Sequence, residues 1–183
     1  SYILVDVNSG KVLAENNADI PLPPASLTKI MTVYLVSEAL KNEEISLDDK
    51  VRISKKAWQT EGSKMFIKES QLVAVYDLIQ GIVVQSGNDA SVAIAEHIAG
   101  SEETFTELMN QQAQALNMQD THFTNSTGLP DPDLYVTARD LAILSRALIL
   151  NHPEDYQWHK EKWFSFNGIR QANRNRLLWR DAD

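Results

Sequence analysis

The 183-residue chain contains no cysteine. That excludes a disulfide framework and any thiolate metal site, and it leaves the redox compartment open. Glycine and proline are scarce, at 7 and 6 residues, so collagen-like and low-complexity readings fall away. No apolar run approaches the ~18 residues that mark a membrane span; the longest, Ile30 to Val36, is interrupted by Thr32. A basic surplus is missing too. The net charge of −8 repels a phosphate backbone, and nucleic acid is not an expected partner. No basic-then-apolar leader opens the chain, which starts on Ser1-Tyr2-Ile3 and reads as a mature or trimmed product.

What is present is the composition of a globular protein, 43% hydrophobic and 23% charged, at a length suited to one domain or a domain and a fragment. Short apolar stretches, Tyr2 to Val7 and Lys11 to Glu15, flank Asn8-Ser9-Gly10 and predict a hairpin. Pro21-Leu22-Pro23-Pro24 delays any helix until Ala25 or Ser26. The helix beyond is apolar almost all round, which predicts a central position. A short helix is expected over Ser54 to Thr60 and a second apolar one over Val73 to Val83. Asp89 is a candidate cap for a helix from Ala90 to Ala99 that Gly100 stops. Ser101 with Glu102 and Glu103 opens the next. Thr137-Ala138-Arg139-Asp140 has the form of a capping box, and Trp163 to Phe166 with Asn167-Gly168 predicts a closing hairpin.

Two motifs carry chemistry. Ser26-Leu27-Thr28-Lys29 sets a hydroxyl and an amine on one helical face. With fourteen serines and ten lysines such a spacing arises about once by chance. Alone, it reads as an N-cap serine and a solvated lysine. Its place at the start of an apolar helix changes that reading. Burial disfavours an ammonium and lowers a lysine pKa from its ordinary ~10.4, towards a range where the amine accepts a proton. The Ser26 backbone N–H, free at a helix start, is a candidate oxyanion donor. Ser86-Gly87-Asn88 is the second motif, and its plain reading is a helix-to-helix turn. Between two apolar helices its hydroxyl and amide need buried partners. Ser86 is then a candidate proton relay, and Asn88 a candidate for orienting Lys29 and binding a substrate carbonyl.

The wider context resembles a known family. Pro24-Ala25-Ser26-Leu27-Thr28-Lys29-Ile30-Met31-Thr32 and Gln85-Ser86-Gly87-Asn88-Asp89-Ala90 are similar to the low-molecular-mass penicillin-binding proteins, the D-alanyl-D-alanine carboxypeptidases. The likeness extends through Gly62-Ser63-Lys64-Met65-Phe66, Thr121-His122-Phe123, Thr137-Ala138-Arg139-Asp140, Phe166 to Gln171, Asn173-Arg174-Asn175 and Leu177-Leu178-Trp179. It implies an α+β fold of the β-lactamase/transpeptidase type, a mostly helical subdomain packed on an antiparallel sheet. It implies Ser26 as nucleophile, Lys29 as general base, Ser86 as relay, and Ser63, Gly87 and Asn88 at the substrate. The expected partners are a peptidoglycan stem peptide ending in D-Ala-D-Ala and β-lactam antibiotics. No cofactor is expected, and the expected location is the periplasm or outer face of the cytoplasmic membrane.

One departure matters. The family's Lys-Thr-Gly strand, which supplies a second oxyanion donor and holds the substrate carboxylate, is not in this sequence. Residues 1–183 are therefore expected to form an incomplete catalytic domain, one piece of a longer or cleaved protein, with the hairpin at Tyr2 to Val7 left an open sheet edge. A complementary C-terminal chain is then an expected partner, and membrane association is expected only through that missing region. Two rival readings stay open. A serine β-lactamase would need fast deacylation, in one group through a Glu-activated water, and Thr124 to Thr137 offers no clear Glu. A non-catalytic β-lactam sensor or peptidoglycan-binding remnant fits the missing motif. His97, His122, His152 and His159 lack metal-ligand spacing. The Lys55, Lys56, Lys64 and Lys68 cluster reads as a solvated face, and Trp58, Trp158, Trp163 and Trp179 read as packing.

Overall fold

The computed structural model describes residues 1–180. The chain opens with antiparallel strands β1 (Tyr2–Val5) and β2 (Val12–Asn16), paired from Tyr2↔Asn16 to Val5↔Val12 with an irregularity after Leu4. Asp6 closes their turn by accepting from the Ser9 amide. The proline-rich segment then pairs Leu22 with Val136 in both directions, at 3.0 Å each way. A 3₁₀ turn at Ala25–Thr28 follows, leading into helix α1 (Lys29–Lys41). α1 is central, as its apolar perimeter predicts. Met31, Val33, Tyr34, Val36 and Ala39 are buried along with Thr28, Thr32 and Ser37, and the later helices pack around it.

Strand β3 (Lys50–Arg52), helix α2 (Lys55–Gln59), strand β4 (Leu72–Ala74) and helices α3 (Val75–Gln85), α4 (Asn88–Ala99), α5 (Glu102–Ala115) and α6 (Ala138–Asn151) follow. Val73 and Ala74 were expected to begin the second apolar helix. With Leu72 they form a strand instead, pairing Val73 with Val51, because a short apolar run suits either state and a waiting partner strand decides. The short helix α7 (Pro153–Tyr156) leads through a 3₁₀ turn at Gln157–Lys160 to the hairpin β5 (Trp163–Phe166) and β6 (Ile169–Ala172). The fold is α+β. Among the described residues its antiparallel pairing takes the form of three separate two-stranded sheets. β1 lies against α6, and Tyr2, Leu4 and Leu13 on this hairpin are exposed.

Helix ends follow local chemistry. Ser54, Ser101 and Thr137 each accept an amide N–H from three residues ahead, and α4 ends at Gly100. Two acidic residues depart from the reading of the sequence. The N-cap position of α4 is Gly87, not Asp89; Asp89 sits inside the first turn, fully buried. Asp140 is the N3 residue of α6, yet its carboxylate accepts from the Asp120 amide and the Thr121 hydroxyl rather than returning to Thr137. Both carboxylates satisfy distant loop amides, a demand that local sequence does not reveal.

Candidate active site

Ser26 and Lys29 meet because of how α1 begins. In a 3₁₀ turn residues i and i+3 eclipse, so Lys29 lies directly above Ser26 and its Nζ stands 3.4 Å from Ser26 Oγ. The turn is reached through Ala25, a non-glycine residue at φ +49°. Such a conformation costs on the order of 1–3 kcal/mol and persists only where surrounding structure enforces it. Leu27 N–H closes on Pro24 O at 3.2 Å, whereas the Ser26 N–H makes no backbone hydrogen bond among the described residues. Ser26 is exposed and Lys29 buried.

Among the described residues the amine has three hydrogen-bond neighbours. Lys29 Nζ donates to Thr127 O at 2.6 Å and to Asn88 Oδ1 at 2.7 Å, both buried contacts, with Ser26 Oγ the longer third. A neutral amine carries two N–H groups and one lone pair. Two short donations to fixed acceptors use both hydrogens and leave the lone pair facing Ser26. Burial pulls the Lys29 pKa down to about 8; the Arg174 cation acts in the same direction, and the Asp89 carboxylate opposes them.

Asn88 is equally committed. Its Nδ2 donates to Glu61 O and its backbone N–H to Ser63 O, both at 2.7 Å. Ser63 thus enters through its carbonyl, on the loop just before Lys64. Ser86 ends α3 at φ +57°, and its hydroxyl is buried without a hydrogen-bond partner among the described residues. It lines one cavity of about 150 Å³ with Ser26, Lys29 and His159. A buried orphan hydroxyl beside a strained backbone calls for a functional explanation. Gly87 N–H donates to Gly81 O at 3.0 Å.

Several residues here escaped the sequence reading. Thr127 was the largest omission. It sits on a loop wound by Asn125, whose Oδ1 accepts from Thr127 N, Thr127 Oγ1 and Gly128 N at 2.7–3.1 Å. The Asn-x-Thr-Gly pattern is a legible turn signal, but nothing in it points to a lysine 98 residues away. Ser126 O accepts from Thr32 Oγ1 at 2.7 Å. Glu102 accepts from Ser126 N and Oγ through Oε1, and pairs with Lys56 through Oε2 at 3.0 Å. His159, held by Tyr156 O at 3.3 Å, has its pKa pushed down by burial. Among the described residues no group of three His, Asp or Glu side chains is gathered as a metal site.

This loop leaves no room for a side chain at Gly128. There φ is +82°, and a Cβ would stand 1.8 Å from Ala25 O. We predict that Gly128→Ala destabilises the protein by roughly 2–4 kcal/mol, read as a melting temperature lower by at least ~5 °C. An unchanged melting temperature would refute this packing.

The family model described as D-alanyl-D-alanine carboxypeptidase, peptidase S11, matches residues 1–183. The chain belongs to this family. It is 52% identical over 185 residues to the D-alanyl-D-alanine carboxypeptidase DacC of Escherichia coli K12, an alignment covering 98% of this chain and 46% of the relative. Penicillin-binding protein 5 of Haemophilus influenzae matches as a structure with TM-score 0.95 at 47% identity, covering 98% of this chain and 53% of that one. Penicillin-binding protein D2 of Listeria monocytogenes, solved in its ampicillin-bound form, matches with TM-score 0.83 at 32% identity, covering 97% and 71%. The chain spans about half the length of the curated relatives it matches. Such neighbours carry the transpeptidase-like α+β fold, which this member of the carboxypeptidase family shares.

Proposed function

We propose that this chain carries the acylating half of a serine D-alanyl-D-alanine carboxypeptidase, with Ser26 as nucleophile and Lys29 as its base. The arrangement of Lys29 Nζ carries the reading: two short donations, to Asn88 Oδ1 and Thr127 O, and a third direction towards Ser26 Oγ. Neutral Lys29 takes the Ser26 proton while Oγ bonds to the carbonyl carbon between two D-alanines. Negative charge collects on the carbonyl oxygen, where the Ser26 N–H donates. As the adduct collapses, the C–N bond breaks and the proton on Lys29 passes through the Ser86 hydroxyl to the departing amine. A water then gives a proton to Lys29, its oxygen adds to the ester carbon, and Ser26 leaves with that proton restored. Asn88, with Gly87 and Ser63 beside it, holds the acyl side of the peptide.

The substrate in this reading is a peptidoglycan stem peptide ending in D-Ala-D-Ala. β-Lactams acylate Ser26 by the same attack and leave slowly; the Listeria relative, seen with ampicillin, supports this. The place of action is the cell-wall side of the cytoplasmic membrane. Among the described residues no helix is long and apolar enough to cross a membrane. The relatives' greater length supports reading residues 1–183 as part of a larger catalytic domain. The β-lactamase reading loses ground because Glu102, the acid that packs on the 125–128 loop, is engaged by Ser126 and Lys56 and is not free to activate water.

The test uses the intact protein as its cells make it. Exposure to benzylpenicillin is expected to add one drug mass, mapped by peptide sequencing to Ser26, and a D-Ala-D-Ala pentapeptide is expected to release D-alanine. An adduct without peptide hydrolysis would convert the reading to a sensor, rapid nitrocefin turnover to a β-lactamase. No adduct at all would overturn it.

A further inference from the structure

We propose that Asp89 is a positioning residue for the candidate active site: its buried carboxylate straps the 61–67 loop to the first turn of α4 and so fixes the Asn88 amide that holds Lys29. The inference rests on the functional reading above. The sequence suggests only a helix cap at Asp89, and the structure shows something else.

The Asp89 side chain is fully buried, and no cation pairs with it among the described residues. Its oxygens are met by backbone amides. Oδ1 accepts from Met65 N at 3.0 Å and from Ala90 N at 2.9 Å; Oδ2 accepts from Phe66 N at 3.0 Å and Ile67 N at 3.4 Å. Burying a carboxylate is costly unless charge-assisted hydrogen bonds replace its water, and consecutive amides that converge on one anion form such a nest. Phe66, at φ +69°, bends the chain so that the amides can converge. Without the anion, three N–H groups would face each other in a dry interior, and the loop would open.

The opposite end of the loop is tied to Asn88, through Glu61 O and Ser63 O. Neighbouring residues of one helical turn therefore clamp both ends of a seven-residue segment. Asn88 has one end of its amide on this loop and the other on Lys29 Nζ, so release of the loop frees the amide to rotate off the lysine. The clamp also accounts for Gly87. A Cβ there would lie 2.9 Å from Asp89 Oδ1 and 3.3 Å from Met65 N, in the space where the carboxylate meets the loop. The far side of the loop is held by the β5–β6 hairpin, where Asn167 Nδ2 donates to Phe66 O at 3.2 Å.

Asp89 also acts on Lys29 through its charge. Among the described residues, the charged or titratable groups around the lysine are Asp89 on α4, Arg174 beyond β6, and His159 on the cavity wall. Of these, Asp89 alone favours the ammonium. Removing its charge without removing its shape should move the titration of the base to lower pH.

The experiment compares the intact wild-type protein with Asp89→Asn and Asp89→Glu. Penicillin acylation rates are measured across pH, with the adduct mapped in each. Asp89→Asn is expected still to be acylated at Ser26, about 10–100-fold more slowly, as for displacement of a catalytic group by about an ångström, with its pH midpoint below the wild-type one. Asp89→Glu, which keeps the charge, is expected to restore the midpoint. A lower melting temperature with an unmoved midpoint and rate would reduce Asp89 to a structural role and overturn the inference. Wild-type protein that is not acylated at all would instead overturn the functional reading. Should Asp89→Asn fail to fold, hydrogen exchange of the wild-type protein decides. The Met65, Phe66 and Ile67 amides are expected to be as protected as the interior of α4, and fast exchange there would overturn the strap.

Discussion

Replacing Ser26 with alanine is expected to abolish labelling by a fluorescent penicillin, lowering the acylation rate by about 10⁴-fold or more. Two hydroxyls share the cavity with Lys29, those of Ser26 and Ser86, and exposure separates them. Ser26 is open to solvent, whereas the Ser86 oxygen is buried and has no partner among the described residues. A substrate carbonyl must come within about 3–3.5 Å of an attacking oxygen, which an exposed residue at a helix start permits and a buried relay does not. The proposed oxyanion donor, the Ser26 N–H, is backbone and survives the substitution, so Ser26→Ala isolates loss of the proposed nucleophile from loss of the pocket. Unaltered labelling of this variant would remove Ser26 from the role, whatever the family resemblance. Ser86→Ala, in contrast, should still label at Ser26 but more slowly, since the proposed relay delivers the leaving-group proton on which collapse of the adduct depends and is not the atom that bonds to carbon.

The second large effect is that of Lys29. Acylation by the wild-type protein is expected to rise with pH and level off above a midpoint near 8, and Lys29→Ala to lie about 10²–10⁴-fold lower with that rise gone. The sign follows from burial. Taking the ammonium out of water disfavours the charged form, so the pKa falls from its ordinary value to about 8. In the proposed mechanism the neutral form is the one that accepts the Ser26 proton, and it predominates only above that pKa. At pH 7 roughly one lysine in ten is then neutral, and each further unit of acidification costs about tenfold in rate. A wild-type profile flat from pH 6 to 9 would show that Lys29 is not the base. A midpoint near 10 would show instead that the amine lies in contact with water.

Local chemistry made much of the architecture legible. Ser54, Ser101 and Thr137 cap helices because a side-chain oxygen three residues before an orphan amide satisfies it, and this needs no distant partner. The two terminal hairpins follow from alternating residues around Asn-Ser-Gly and Asn-Gly. Ser26, Lys29, Ser86 and Asn88 stood out through motif and family resemblance. Hidden were the residues whose work is done across the fold. Thr127 contributes only a backbone carbonyl, which every residue possesses. Arg174 acts through its field, and His159 looked like one histidine among four. Val73 and Ala74, expected as helix, pair as strand because a short apolar run satisfies a strand and a helix equally.

By itself the sequence determined the helical middle, the hairpins at both ends, and the serine and lysine set one turn apart on an apolar helix, because each depends on neighbours within about four residues. The tertiary structure alone decided what the lysine touches. A carbonyl 98 residues on and an amide 59 residues on converge on its nitrogen, and a buried aspartate holds the loop behind that amide. Chain spacing cannot encode such meetings; they exist only once the helices close over a dry interior, where every buried polar atom must find a partner.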